Sequence, residues 1–361
     1  MTQCTELWVD RADPRKTRVV TRPVPAPGQG EVLVAIDKFG LTSNNVSYAV
    51  TGDLIGYWGY YPAEEHWGKV PVWGCAEVVA SDCDQVPVGE RLWGFFPMAS
   101  HAILQPGKVR EDQFVDVAAH RQALPALYNG YRRTRAEPAF LQDMEVERCL
   151  LFPLLATSWL IYDFLVDNDF FGAGQVLIGS VSSKTGAGLA EMLHADPQVS
   201  QRLIGLTSPG NVAYVERLGC CDEVVVYGQE QRIDAEVPAA YVDMSGDARL
   251  TATLHQLLGA NMVNSAMVGA THWEQRGDTG DLPGAKPTFF FAPAQIGKRD
   301  AQWGPGAAMA KAMAASAQVA LKWQGELAVE WTRDVDGLAA LWRQLLDNEI
   351  APSRGLMISL L

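Results

Sequence analysis

Gln175–Val176–Leu177–Ile178–Gly179–Ser180–Val181–Ser182–Ser183–Lys184–Thr185–Gly186–Ala187–Gly188–Leu189–Ala190 decides how this 361-residue chain is read. It has the pattern of a buried strand, a turn of small residues and a helix. That geometry aims backbone N–H groups and a helix N-terminus at a phosphate. A second apolar run, Arg202–Leu203–Ile204–Gly205–Leu206–Thr207–Ser208, follows where a dinucleotide-binding βαβ unit places the group that reads the ribose. The expected ligand is a nicotinamide dinucleotide. Its contacts are expected from Ser180, Ser182, Ser183, Lys184, Thr185 and Gly186. Here small side chains leave room for the diphosphate and Lys184 adds a cation. The competing reading is an ordinary βα turn with a Ser/Thr N-cap.

Two decoys lie nearby. Gly172–Ala173–Gly174 precedes the strand instead of following it, so it reads as the turn into the strand. Ser183–Lys184–Thr185 imitates the end of a nucleotide-triphosphate loop, but the two glycines that loop needs would fall at Ile178 and Ser183.

Working outward, strands are expected at 176–178, 203–206, 223–226, 240–242, 264–268 and 288–291, with helices at 187–195, 212–218 and 248–258. Short buried strands alternating with helices predict a doubly wound parallel sheet covered on both faces. The N-terminal region has a different grain. Glu31–Asp37, Ala76–Ala80 and Arg91–Phe96 are short strands with Gly/Pro punctuation, which suggests a barrel-like antiparallel unit. The expected division is a β-barrel domain from 1–145 plus 305–361 and a dinucleotide-binding domain over 146–304. The segment 304–323, rich in Ala and Met, reads as one long helix.

Composition narrows the function classes. Apolar residues make up 48% and charged residues 20% of the chain, which is ordinary for a protein with a sizeable core. The net charge of −13 argues against non-specific nucleic-acid binding and a polybasic membrane anchor. Six scattered cysteines and six dispersed histidines form no C-x-x-C pair and no H-E-x-x-H. The first residues lack the basic and apolar regions of a signal peptide, and Leu150–Leu165 is too short and too polar for a membrane span. A cytoplasmic protein is expected, with a small-molecule substrate.

Several stretches, in order, resemble the medium-chain dehydrogenase/reductase superfamily, in particular its zinc-free quinone-oxidoreductase-like branch. Pro25–Val34 is similar to its first barrel strand, and Phe39–Asn45 to the loop lining its reaction pocket. Val72–Val79 with Val88–Gly94 is similar to its barrel core. Leu155–Ala156–Thr157–Ser158–Trp159 is similar to the start of the helix beneath the nicotinamide, and Tyr241–Gly246 to the "D-x-x-G" after the fourth sheet strand. In detail the chain is similar to an uncharacterised bacterial family of unknown function (DUF2855-like). The resemblance implies a Rossmann domain with a GroES-like barrel domain, and a homodimer. Where zinc-dependent relatives carry a His–Glu pair after the glycine matching Gly74, this chain has Cys75 and Ala76. The four-cysteine zinc loop is missing too, so no metal is expected.

The expected reaction is zinc-independent hydride transfer from NADPH to an enone, quinone or carbonyl substrate. The alternative is a non-catalytic protein that keeps the fold and binds without turnover. Thr207, Ser208 and Asn211 favour NADP(H) over NAD(H). They are hydrogen-bonding groups that can donate to a 2′-phosphate, and no carboxylate stands there to repel it. Tyr48, Asn44 and Asn45 are the candidates for orienting the substrate oxygen, with Thr157 beneath the nicotinamide. Gly269, with His272 and Trp273, follows a sheet strand at its carboxyl end, as do Gln295, Lys298, Arg299 and Trp303. Tyr57–Trp67 reads equally as a lid for a flat substrate or as a satellite packing cluster.

Overall fold

The computed structural model describes residues 3–268 and 281–361. They form two compact units, Met1–Pro153 with Leu327–Leu361, and Leu154–Glu326. The first unit opens with an antiparallel pair, β1 (Gln3–Asp10) and β2 (Thr17–Pro23). Next comes β3 (Val32–Leu41), whose near-alternating burial buries Val32, Val34, Ile36 and Phe39 completely. Phe39–Leu41, expected in a loop, belongs to this strand, and residues Ser43–Val50 form helix α1. Asn45 holds the start of α1. Its Oδ1 accepts the Thr42 N–H at 2.7 Å, and its Nδ2 donates to the Pro71 carbonyl at 2.9 Å.

The barrel sheet continues through β4 (Pro71–Ser81) and β5 (Arg91–Pro97), antiparallel to one another. Their register pairs Trp73 with Phe95 and Cys75 with Trp93. Because side chains alternate across a strand, these four point to one face. The short helix α2 (Glu145–Leu150) closes this stretch of the chain.

Helix α3 (Phe152–Asp167) leads into the second unit. Strand β6 (Gln175–Gly179), helix α4 (Lys184–Ala195), strand β7 (Arg202–Thr207), helix α5 (Val212–Leu218) and strand β8 (Glu223–Val226) follow. Then come strand β9 (Ala239–Asp243), helix α6 (Ala248–Leu258), strand β10 (Met262–Met267) and the short β11 (Thr288–Phe289). The sheet order is β8-β7-β6-β9-β10-β11, parallel at every step. The order reverses between β6 and β9, the switch point at which doubly wound sheets take ligands. Every residue of β6 and β9 is buried, as expected of strands covered on both faces. Period two sends Val176 and Ile178 into a core with Ile161 and Leu165 of α3 and Leu189 and Leu193 of α4. Leu177 goes to the opposite core with Leu250 and Leu254 of α6.

Helices α7 (Ala292–Trp303) and α8 (Ala307–Lys322) complete this unit. Residues 305–326, grouped by the sequence with the barrel, therefore fold with the α/β unit. Helix α8 buries a face of small residues, Ala308, Ala312, Ser316 and Ala320, and Lys322 pairs with Glu191 of α4. The chain then returns to the first unit as β12 (Ala328–Thr332), helix α9 (Val335–Leu346) and β13 (Arg354–Ile358). Strand β13 joins the sheet antiparallel to β3. The result is a GroES-like β unit and a Rossmann unit. No helix among the described residues is long and apolar enough to cross a membrane.

Candidate functional site

The turn after β6 is held by the side chains of Tyr227 and Ser183. Ser180 takes a left-handed φ of 52°, and its N–H donates to Tyr227 Oη at 2.9 Å. The Ser183 N–H closes the turn on the Ser180 carbonyl at 2.9 Å. Ser183 then caps α4, its Oγ accepting the Gly186 N–H at 3.1 Å. Gly186 has no room for a side chain: a Cβ there would lie 2.7 Å from the Ser180 carbonyl oxygen and 2.9 Å from Val181 Cα. Helix and turn are pressed together at that point. Gly188 serves α3 in the same way, since a Cβ on it would lie 2.5 Å from Leu155 and 2.7 Å from Ser158 Oγ.

The amides of Ser182 and Thr185 have no acceptor among the described residues. They sit at the positive end of a twelve-residue helix, an arrangement that binds anions. Lys184, half-buried at the first helical position, is pushed down to about 8 by desolvation. A bound anion would favour its charged form. Ser182, buried, is held from β7: Thr207 Oγ1 lies 3.1 Å from its Oγ, and Asn211 Nδ2 donates to it at 3.2 Å. Thr207 is itself 1% exposed, so it positions Ser182 and does not face solvent. Ser208 and Asn211 are half-buried and lie nearer the surface. The nearest cations in sequence are engaged: Arg202 pairs with Glu223 at 2.7 Å and Arg217 with Glu326 at 3.7 Å.

On β9, Asp243 closes its own loop. One carboxylate oxygen accepts from the Ser245 N–H at 2.8 Å, Ser245 Oγ at 2.6 Å and the Gly246 N–H at 3.0 Å. Thr157 is half-buried on α3, one residue from the Ser158 hydroxyl, which donates to the Thr185 carbonyl at 2.7 Å. Gly269, His272 and Trp273 lie outside the described residues. Gln295, Lys298 and Arg299, candidates for facing a ligand, are spent on α3. Gln295 Nε2 donates to Asp163 at 2.5 Å, Arg299 bridges Asp163 and Asp167 at 2.8 and 2.9 Å, and Lys298 pairs with Asp167. Trp303 lies under the Arg299 guanidinium at 4.6 Å. These four residues lock α7 to α3.

In the β unit, Asn45 is consumed by the cap of α1. Asn44 and Tyr48 behave differently. Tyr48 Oη accepts from Asn44 Nδ2 at 2.7 Å and from Trp73 Nε1 at 3.2 Å. Indole N–H is an obligate donor, and both phenol lone pairs are thereby filled. The phenol proton has no acceptor among the described residues, although Tyr48 is 5% exposed. Burial, with Tyr128 beside it, pushes the Tyr48 hydroxyl well above the ordinary phenol range, so it stays a neutral donor.

The aromatic insertion splits. Tyr57, Trp58, Tyr60 and Tyr61 are buried, with Tyr60 Oη bonded to the Pro125 carbonyl at 2.7 Å and Tyr61 Oη to the Phe95 carbonyl at 2.8 Å. They are packing residues, whereas His66 is largely exposed. Cys75 is buried 3.9 Å from the Cys149 sulfur. Among the described residues no three His, Cys, Asp or Glu side chains are grouped to hold a metal ion. Sequence reading missed Trp73, Trp93, Tyr128 and Tyr227. The alternation Trp93–Gly94–Phe95 opposite Val72–Trp73–Gly74 carried the signal for the first two.

Residues 39–351 match a protein family described as "Protein of unknown function (DUF2855)", and the chain belongs to that family. No curated protein matches. Among solved structures the chain is similar to CurA from Vibrio vulnificus in complex with NADPH, at 12% identity and a TM-score of 0.59, covering 98% of each chain. It is similar to the yhdH oxidoreductase from Salmonella enterica in complex with NADP, at 12% identity and a TM-score of 0.55, covering 100% of each chain. A CurK enoyl reductase matches at 13% identity and a TM-score of 0.55, over 99% of each chain. At such identities the likeness is one of fold alone.

Proposed function

We propose that the chain is an NADP(H)-dependent oxidoreductase that acts without zinc on an enone, quinone or carbonyl substrate. One observation carries this reading: Gly186 is packed so tightly on the Ser180 turn that no side chain fits, beside two amides with no protein acceptor among the described residues. A glycine that lets helix and turn pack this closely is what a dinucleotide-binding βα turn uses, with its free amides aimed at the diphosphate. That CurA and yhdH were solved with NADPH and NADP favours a dinucleotide over other anions. NADPH, when bound, supplies the hydride.

The chain's own residues supply position and hydrogen bonds. The Ser182 and Thr185 amides hold the diphosphate, with Lys184 as a nearby cation and Ser180 and Ser183 shaping the turn. Thr207 and Asn211 fix the Ser182 hydroxyl, and Ser208 and Asn211 offer donors to a 2′-phosphate. Thr157 lines the nicotinamide end. Tyr48 donates a hydrogen bond to the substrate oxygen as negative charge grows there. Asn44 and Trp73 aim that phenol, and Asn45 positions α1. A proton taken from water completes the product.

Calorimetry of the purified chain with NADPH and NADH tests the reading, followed by NADPH oxidation on a panel of quinones and enones. Binding of NADPH tighter than NADH, with turnover that Tyr48→Phe lowers about tenfold or more, is expected. Tight binding without turnover on any acceptor would favour the non-catalytic alternative. No heat from either coenzyme at millimolar concentration would sink both.

A further inference from the structure

The register of β4 and β5 gathers an unusual wall on one sheet face. Trp73 stacks on Trp93 with centroids 4.7 Å apart and planes 23° from parallel. Phe95 lies 5.1 Å from Trp73 and 4.7 Å from Tyr128. Behind the stack, the Arg148 guanidinium sits 4.8 Å from the Trp93 ring and is anchored by an ion pair with Glu137. Trp93 is therefore clamped between a cation and a second indole. Trp73, by contrast, is only half-buried, as is Tyr128. The same Trp73 donates its N–H to Tyr48, whose phenol proton has no acceptor among the described residues. One side chain thus presents a partly open indole and orients a hydroxyl that lacks an acceptor.

We propose that Trp73 is the platform for the substrate's ring, and that the acceptor is an electron-poor, fused-ring aromatic carbonyl compound whose oxygen takes the Tyr48 hydrogen bond. This rests on the oxidoreductase reading and narrows its substrate class. The indole face is electron-rich, and an aromatic ring bearing carbonyls is electron-poor, so an offset stack is favoured over an alkyl chain in the same place. The wall is held rigid by the Trp93–Arg148–Glu137 chain, so little order is lost when a flat ring lies on it. For a quinone the balance is simple. Two electrons and one proton arrive as hydride from NADPH, a second proton comes from water, and the hydroquinone and NADP⁺ leave.

Equilibrium dialysis of the full chain separates this proposal from the function on which it rests, because it needs no coenzyme. 1,4-Naphthoquinone and the acyclic 1-octen-3-one serve as probes. Naphthoquinone is expected to bind about tenfold more tightly, the scale of one good aromatic contact added to ordinary burial. Trp73→Leu brings the two affinities within about threefold of each other, whereas Trp73→Phe keeps the preference, and Trp331→Leu at an exposed tryptophan leaves it untouched. Circular-dichroism melts confirm that each variant is folded. Equal binding of the two probes by the wild-type chain, or a preference that survives Trp73→Leu, overturns the proposal even where NADPH binds. A naphthoquinone preference in a chain that binds no NADPH would uphold the aromatic wall and sink the oxidoreductase reading alone.

Discussion

At Gly186 a single hydrogen atom separates a closed turn from a broken one. Gly186→Ala puts a methyl group 2.7 Å from the Ser180 carbonyl oxygen, so turn and helix must separate. Overpacking of this kind costs about 1–3 kcal/mol, which lowers Tm by several degrees and moves the amides off any diphosphate. Thermal melts and NADPH calorimetry read both effects, and a variant with wild-type values on each would refute the close-approach argument. Lys184 sets a pH dependence beside it. The ammonium is charged below about 8 and neutral above, and an anion binds the charged form better. NADPH affinity should therefore fall as pH rises through 8, by up to about tenfold per unit. In Lys184→Met the slope should flatten over the same range. Gly186 and the serines were plain in the sequence. What Tyr48 does was not, because its two donors come from different elements and only the fold brings Trp73 to it.

Between elements, α2 is riveted to the barrel by charge. Glu145 accepts from Arg91 Nε at 2.8 Å and Arg91 Nη2 at 2.7 Å, and it pairs with Lys38, while Arg91 also reaches Asp37 at 2.9 Å. Burial pushes the Glu145 carboxyl up, but the Arg91 and Lys38 bonds outweigh it and hold the group down at about 2. A folded value below the ordinary 4.5 means that the contribution is present above pH 4.5 and is lost as pH falls towards 2. Its size is on the order of 1–3 kcal/mol, since desolvation of the partners offsets some of the attraction. Glu145→Gln should lower stability at pH 7, and the gap from wild type should narrow below pH 4.5. Denaturant titrations at a series of pH values measure this, and a gap constant with pH would contradict it. None of this ion cluster was legible in the sequence, because Lys38, Arg91 and Glu145 lie far apart in the chain. The locking of α7 to α3 by Gln295, Lys298 and Arg299 was hidden for the same reason. Position after the last strand suggested ligand contacts, but Asp163 and Asp167 took those side chains first.

For the molecule as a whole, ligand linkage gives a further check. If NADPH binds the folded chain alone, coenzyme at a hundred times its Kd should stabilise the protein by about 2.7 kcal/mol. Calorimetric melts with and without NADPH should show that shift, and NADH at the same concentration should show a smaller one. The alternation of strands and helices from 175 onward, and with it the parallel sheet, was determined by the sequence alone. Buried β runs and 3.6-residue patterns are local signals, each contained within a few consecutive residues. The glycine and serines of the turn were likewise readable, since a βα turn is contiguous. Only the tertiary structure decided that residues 305–326 pack on the α/β unit, that Thr207 supports Ser182, and that Trp73, Trp93, Tyr48 and Tyr128 come together. Those outcomes depend on strand register and on which distant side chain reaches a charge or a hydroxyl first, and no short window of sequence carries that information.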